Sequence, residues 1–78
     1  MLKPEQSRAG RGLIDWSQQA LAGAAGVGLS TVRDFEKRRR TPVLANLLAI
    51  RAALESAGVE FIEENGGGPG VRLRKARP

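Results

Sequence analysis

The run from Gln18 to Phe35, Q-Q-A-L-A-G-A-A-G-V-G-L-S-T-V-R-D-F, constrains this chain more than any other stretch. It sets a small alanine, a turn glycine and a buried-type valine where two short helices need them in order to cross closely. Ser17 stands where its hydroxyl can cap the first helix by accepting a hydrogen bond from N2 or N3. Leu21, Ala22 and Ala25 then form an apolar stripe at helical spacing. Gly26 ends that helix, since glycine enters the left-handed region without a Cβ penalty, and Val27 folds back onto it. A second helix follows from about Leu29, with Val32 and Phe35 three apart on its inner face.

Two helices crossing steeply about such a turn make a helix-turn-helix, with Ala22 at the closest approach. Caps, glycines and apolar residues at i, i+3 and i+4 also occur in any small helical domain, so periodicity alone leaves a plain scaffold open. The charges favour a nucleic acid. Arg33, Lys37, Arg38, Arg39 and Arg40 set five positive charges against Asp34 and Glu36, at and just beyond the second helix. A charge run is ordinarily a solvated face. This one abuts the element whose outer surface lacks apolar anchors, which makes a phosphate-facing edge the expected reading.

Seventy-eight residues allow one domain with a thin core, because a chain of this size buries only about 60% of its unfolded surface. Residues 1–58 read as the helical, DNA-binding part, and 59–78 as a hairpin and basic tail of the same small domain. The chain has no cysteine and no histidine, so disulfides, thiolate metal sites and the commonest general base are missing. Its eight carboxylates are scattered among basic residues. No catalytic residue, metal site or cofactor is therefore expected. Neither a signal peptide nor an eighteen-residue apolar run occurs, which predicts a cytoplasmic protein with no membrane partner. A net charge of +5 points to a polyanion.

Along the chain, Pro4 suits the first turn of a helix reaching about Leu13, with Ala9 and Leu13 inward. Trp16 reads first as a core plug and second as a stacking platform for a base. One tryptophan, two phenylalanines and no tyrosine argue against single-stranded nucleic acid. After Thr41-Pro42, a fourth helix is predicted from Leu44 to Ala57, with Leu47, Ile50, Ala53, Leu54 and Ala57 on one face and Gly58 closing it. Val59 to Ile62 and Val71 to Arg74 then read as a hairpin around a glycine-rich loop, with Glu60 and Glu63 opposing Arg72 and Arg74 in sign. The loop lacks the lysine and the serine or threonine of a phosphate-binding loop. Arg72, Arg74, Lys75 and Arg77 form a second positive patch, suited either to brushing DNA or to keeping a frayed tail soluble.

From Glu5 to Leu54 the chain resembles the Cro/C1-type (XRE) helix-turn-helix family of bacterial and phage regulators. The residues that carry the likeness are Arg11, Trp16-Ser17-Gln18, Leu21-Ala22, Ala25-Gly26-Val27, Thr31-Val32, Phe35-Glu36, Pro42, Leu47, Ile50 and Leu54. The resemblance implies a mostly α fold: a compact four-helix, lambda-repressor-like domain, here with a C-terminal β-hairpin where the family more often continues with a helix. It implies that the second helix of the motif enters the major groove of double-stranded DNA. Leu29, Ser30 and Asp34 would then face base edges, flanked by Arg33 and Lys37. Gln18 would meet a phosphate, helped by Ser17 and the helix dipole. Arg11 would pair with Glu36.

Three positions depart from the pattern. Gly28 stands where serine or threonine is commoner, and Leu29 replaces a polar base reader, leaving it a thymine methyl to touch. Asp34 either accepts from cytosine N4 or holds Arg38 across i, i+4, and the second is preferred because an unpaired carboxylate near phosphates is unfavourable. Specificity then rests mainly on Ser30 and Arg33. The expected function is a sequence-specific transcriptional regulator, most simply a repressor. The alternative is a protein-interaction module or an antitoxin-like DNA-binding partner of a toxin. A homodimer is expected, with the hairpin residues Val59, Phe61, Ile62, Val71 and Leu73 either pairing two copies or covering Leu47 and Leu54 within one.

Overall fold

A computed structural model describes residues 1–74. Four helices, α1 (Pro4–Ile14), α2 (Gln18–Ala25), α3 (Leu29–Glu36) and α4 (Leu44–Ser56), precede two strands, β1 (Val59–Ile62) and β2 (Gly70–Leu73). Lys75 and Arg77 of the second positive patch lie outside the described residues.

Leu21, Val32, Ile50, Leu54 and Val59 are wholly buried and form the centre of the core, with Phe35, Leu47 and Leu2 around them. Trp16 is half-buried and packs against this cluster. Ser17 caps α2 as its sequence position predicts, its Oγ accepting from the Ala20 amide at 3.0 Å. Gly26 sits at φ 71°, and the Val27 amide closes the turn onto the Ala22 carbonyl at 3.1 Å. α4 stops at Ser56, with Ala57 as its cap rather than its last helical residue.

α1 corrects one expectation: Ala9 and Leu13 face solvent, and the buried side carries Gln6, Ser7 and Gly10. The reason is proximity and polarity together. A Cβ on Gly10 would stand in ordinary contact, 3.5 Å from Leu54 and Val59, so nothing larger than alanine is accommodated there without repacking. Ser7 and Gln6 face inward because each has a polar partner: Ser7 bonds Glu36, and Gln6 bonds the Lys3 amide and the Gly70 carbonyl. An inward face made of glycine and satisfied polar groups is invisible to an apolar-periodicity rule.

The hairpin is antiparallel, pairing Val59 with Leu73, Glu60 with Arg72, Phe61 with Val71 and Ile62 with Gly70. β2 thus begins and ends one residue earlier than the alternation suggested. Glu60 and Arg72 form the expected cross-strand ion pair. Glu63 does not join Arg74: it lies 3.9 Å from Arg51, while the Arg74 guanidinium donates to the Glu55 carbonyl at 2.7 Å. Val59, Phe61 and Val71 cover the subunit's own core, and the Arg51 guanidinium stacks 4.8 Å above the Phe61 ring.

Candidate nucleic-acid interface

α3 has two unlike sides. Val32, Phe35 and Glu36 are buried, while Ser30, Arg33 and Lys37 recur at three and four on the exposed side, with Asp34 half-buried beside them and Leu29 partly exposed at the first turn. No side chain caps α3 at Gly28, so the first amide N–H groups are open to solvent or to an anion.

Beyond α3 the chain turns at Arg38, whose φ of 60° is left-handed, and the Asp34 carbonyl accepts from the amides of Arg39 at 2.8 Å and Arg40 at 3.4 Å. This turn overturns the expected Asp34–Arg38 pair. Because α3 ends at Glu36, residue 38 no longer stands one helical turn above residue 34. Arg38 reaches instead to Glu5 on α1, at 2.7 Å, and Asp34 has only a long contact of 3.8 Å with Arg39. Arg38 therefore ties the turn to α1. Among the described residues, no carboxylate lies within 4.0 Å of Arg33, Lys37 or Arg40.

What holds α3 in place is a buried carboxylate. Glu36, 2% exposed, accepts from Arg11 Nε at 2.9 Å and Arg11 Nη2 at 2.7 Å, from Ser7 Oγ at 2.6 Å, and from Gln18 Nε2 at 3.1 Å. Arg11 also donates to the Trp16 carbonyl at 3.0 Å, and Arg8 donates to the Glu36 carbonyl. Side chains from α1 and α2 thus converge on the last residue of α3. Burial pushes the Glu36 carboxyl up, but the hydrogen bonds from Arg11, Ser7 and Gln18 and the Arg11 charge outweigh it and hold it below the ordinary value. The bond to Glu36 correspondingly raises the Arg11 guanidinium.

The Arg11–Glu36 pair implied by the resemblance is present. Gln18 does more than that resemblance implied, since one of its amide hydrogens is directed inward to Glu36. Ser7 and Arg8 escaped the sequence reading, although Ser7 stands one helical turn before Arg11 and so on the same side of α1. Thr31, Thr41 and Asn46 were not singled out in the sequence as candidate DNA contacts. They line a depression of about 260 Å³ with Ser30, Asp34 and Arg40, next to the exposed side of α3. The second positive patch is committed locally in its described part, Arg72 to Glu60 and Arg74 to Glu55.

Among the described residues no group of His, Cys, Asp or Glu could hold a metal ion, and no helix is long and apolar enough to cross a membrane. No curated protein matches the chain at a significant level. The family model for helix-turn-helix domains matches residues 8–61, just over two thirds of the chain, and spans every residue of α2, α3 and the basic turn. Four helices around a glycine turn, a recognition-type helix pinned by a buried ion pair, and that match establish the chain as a member of the Cro/C1-type (XRE) helix-turn-helix family of DNA-binding regulators.

Proposed function

We propose that this protein is a transcriptional repressor that binds an operator in double-stranded DNA as a two-fold pair, in the cytoplasm of a bacterium or under phage control. The observation that carries the reading is the exposed side of α3: Ser30 and Arg33 face outward, and Arg33, Lys37 and Arg40 lack carboxylate partners among the described residues. Ser30 and Arg33 read base edges, and Lys37, Arg39 and Arg40 take phosphates. Leu29 offers an apolar contact to a thymine methyl, and Asp34 orders the turn through its carbonyl. Ser17 presents the start of α2 to a phosphate, and Gln18 joins it with the amide hydrogen not bound to Glu36. Repression follows from occupancy of a promoter.

One recognition helix makes too few base contacts to find a rare site, so two half-sites one turn apart, roughly 34 Å, are required. Of the five apolar side chains that a hairpin-mediated dimer would use, three cover the subunit's own core, leaving Ile62 and Leu73 exposed. Selection of sites from a random duplex pool tests the function. The reading expects an inverted repeat, and Lys37→Ala or Arg40→Ala should flatten the salt dependence by about one unit each on all DNA. Enrichment of no sequence would refute operator recognition. A toxin-binding role remains the second reading, favoured by the exposed Leu44 and Leu48 of α4.

A further inference from the structure

The chain has two asparagines, and the fold treats them oppositely. Asn46 lies half-buried in the first turn of α4 and is followed by Leu47, whose amide N–H is held by the Val43 carbonyl at 3.1 Å. Asn65 stands exposed in the loop that joins β1 to β2, and Gly66 follows it. Among the described residues no hydrogen bond reaches the Asn65 side-chain amide, and the Gly66 N–H has no acceptor. An electrophilic side-chain amide and a backbone nitrogen one residue on are therefore both unengaged.

The surroundings leave them room to meet. A Cβ placed on Gly66, Gly67 or Gly68 would touch nothing within 4 Å, so this part of the loop is packed against nothing. Gly66 adopts a φ of 83°, which glycine enters without penalty, and its missing side chain leaves its nitrogen unshielded. The loop is fixed at its far end by the Ile62–Gly70 pairing and by Gln6, which donates to the Gly70 carbonyl at 3.1 Å.

We propose that Asn65 is a site of spontaneous covalent modification, at which the chain deamidates through a cyclic imide. The Gly66 nitrogen attacks Asn65 Cγ and gives up its proton to water, closing a succinimide ring. The Cγ–Nδ2 bond then breaks, and Nδ2 takes a proton from water and leaves as ammonia. A second water opens the ring. Opening at Cγ gives aspartate, and opening at the main-chain carbonyl gives isoaspartate, in which the backbone runs through the former side chain. The balance is one water consumed and one ammonia released, so no oxidant or second substrate enters. The product sets a third carboxylate beside Glu63 and Glu64 and lowers the net charge of +5 by one. Among the described residues, none from 63 to 69 is hydrogen-bonded or ion-paired to α3 or the basic turn. Modification therefore proceeds with the DNA-facing side intact, and it does not depend on the operator-binding reading.

Incubation of the full chain at neutral pH, followed by trypsin and mass spectrometry, tests it, since cleavage puts Asn46 on fragment 41–51 and Asn65 on fragment 52–72. The amide-to-acid mass gain should appear on fragment 52–72 alone. Isoaspartate in that fragment should accept a methyl group from S-adenosylmethionine when an isoaspartyl carboxyl methyltransferase is added. A synthetic peptide of residues 52–72 gives the rate of the unconstrained segment. The folded chain should run within about tenfold of it, because an unpacked loop adds less than about 1.4 kcal/mol to the barrier. Asn65→Gln should abolish the product, and Gly66→Ala, which sets a methyl group beside the attacking nitrogen, should slow it about tenfold or more. Circular dichroism checks the fold of both variants, which the exposed loop protects. A folded chain protected by more than about tenfold over the peptide would overturn the inference. So would deamidation of Asn46 at an equal rate, or a fragment 52–72 that still gains the mass in Asn65→Gln.

Discussion

Replacing Glu36 with glutamine changes almost no volume and removes one charge, which makes it the sharpest probe of how α3 is held. In the native chain four donated hydrogen bonds converge on this carboxylate, two from Arg11 and one each from Ser7 and Gln18. The amide of Glu36→Gln keeps one acceptor and turns a donor toward a site already filled with donors, while Arg11, 19% exposed at its side chain, loses its counter-charge. Breaking a buried pair from one side costs about 3–5 kcal/mol. Arg11 retains the Trp16 carbonyl and some water, so the lower end, about 3 kcal/mol, is expected. A 78-residue domain has a total stability of roughly 4–12 kcal/mol, so the loss is a large fraction of it. Urea unfolding followed by the fluorescence of the single tryptophan, Trp16, reads it directly. The double variant Arg11→Met with Glu36→Leu should recover part of the loss, since the pair is replaced rather than broken. A Glu36→Gln protein within about 1 kcal/mol of wild type would refute the claim that this carboxylate locks the three helices, because that is no more than one ordinary hydrogen bond.

Acid should act through the same group: with its native pKa below the unfolded value, Glu36 contributes stability that is present above the unfolded pKa and lost as pH falls through the lowered native one. Acid titration of stability should therefore show a decline below about pH 4.5 that Glu36→Gln largely abolishes. Ser17→Ala removes the cap on Ala20 and should cost about 1 kcal/mol in the same urea assay. Gly10→Ala should be nearly neutral, its Cβ in ordinary contact at 3.5 Å, whereas Gly10→Val should overpack Leu54 and Val59 by about 1–3 kcal/mol.

The motif was legible because local rules dictate it. Ser17 caps, Gly26 adopts positive φ, and Val32 and Phe35 repeat on one face, each through neighbours within a few residues. α1 was placed but turned the wrong way, since its inward face follows from partners far along the chain: Glu36 for Ser7, Gly70 for Gln6, Leu54 and Val59 for Gly10. The Asp34–Arg38 pair failed for a related reason. Helical spacing was extended two residues past a helix end that only the left-handed Arg38 reveals. Of the interface, the outward residues of α3 came from periodicity and charge, whereas Thr41 and Asn46 enter only through the fold of the turn. On α4 the spacing picked out Leu47, Ile50, Ala53 and Leu54, which are buried, and left aside Leu44 and Leu48, which the fold leaves exposed.

Discrimination between sequences tests the central claim most directly. Affinity for the best selected duplex and for a scrambled duplex of the same composition is to be measured at one fixed salt concentration, for the wild type and for Ser30→Ala and Arg33→Ala. The wild type should prefer its selected site by about a thousandfold or more, and each α3 substitution should remove about 1–3 kcal/mol of that preference while leaving affinity for the scrambled duplex nearly unchanged. Equal affinity of the wild type for both duplexes, or a preference untouched by Ser30→Ala and Arg33→Ala together, would contradict the assignment of α3 as the element that reads the sequence.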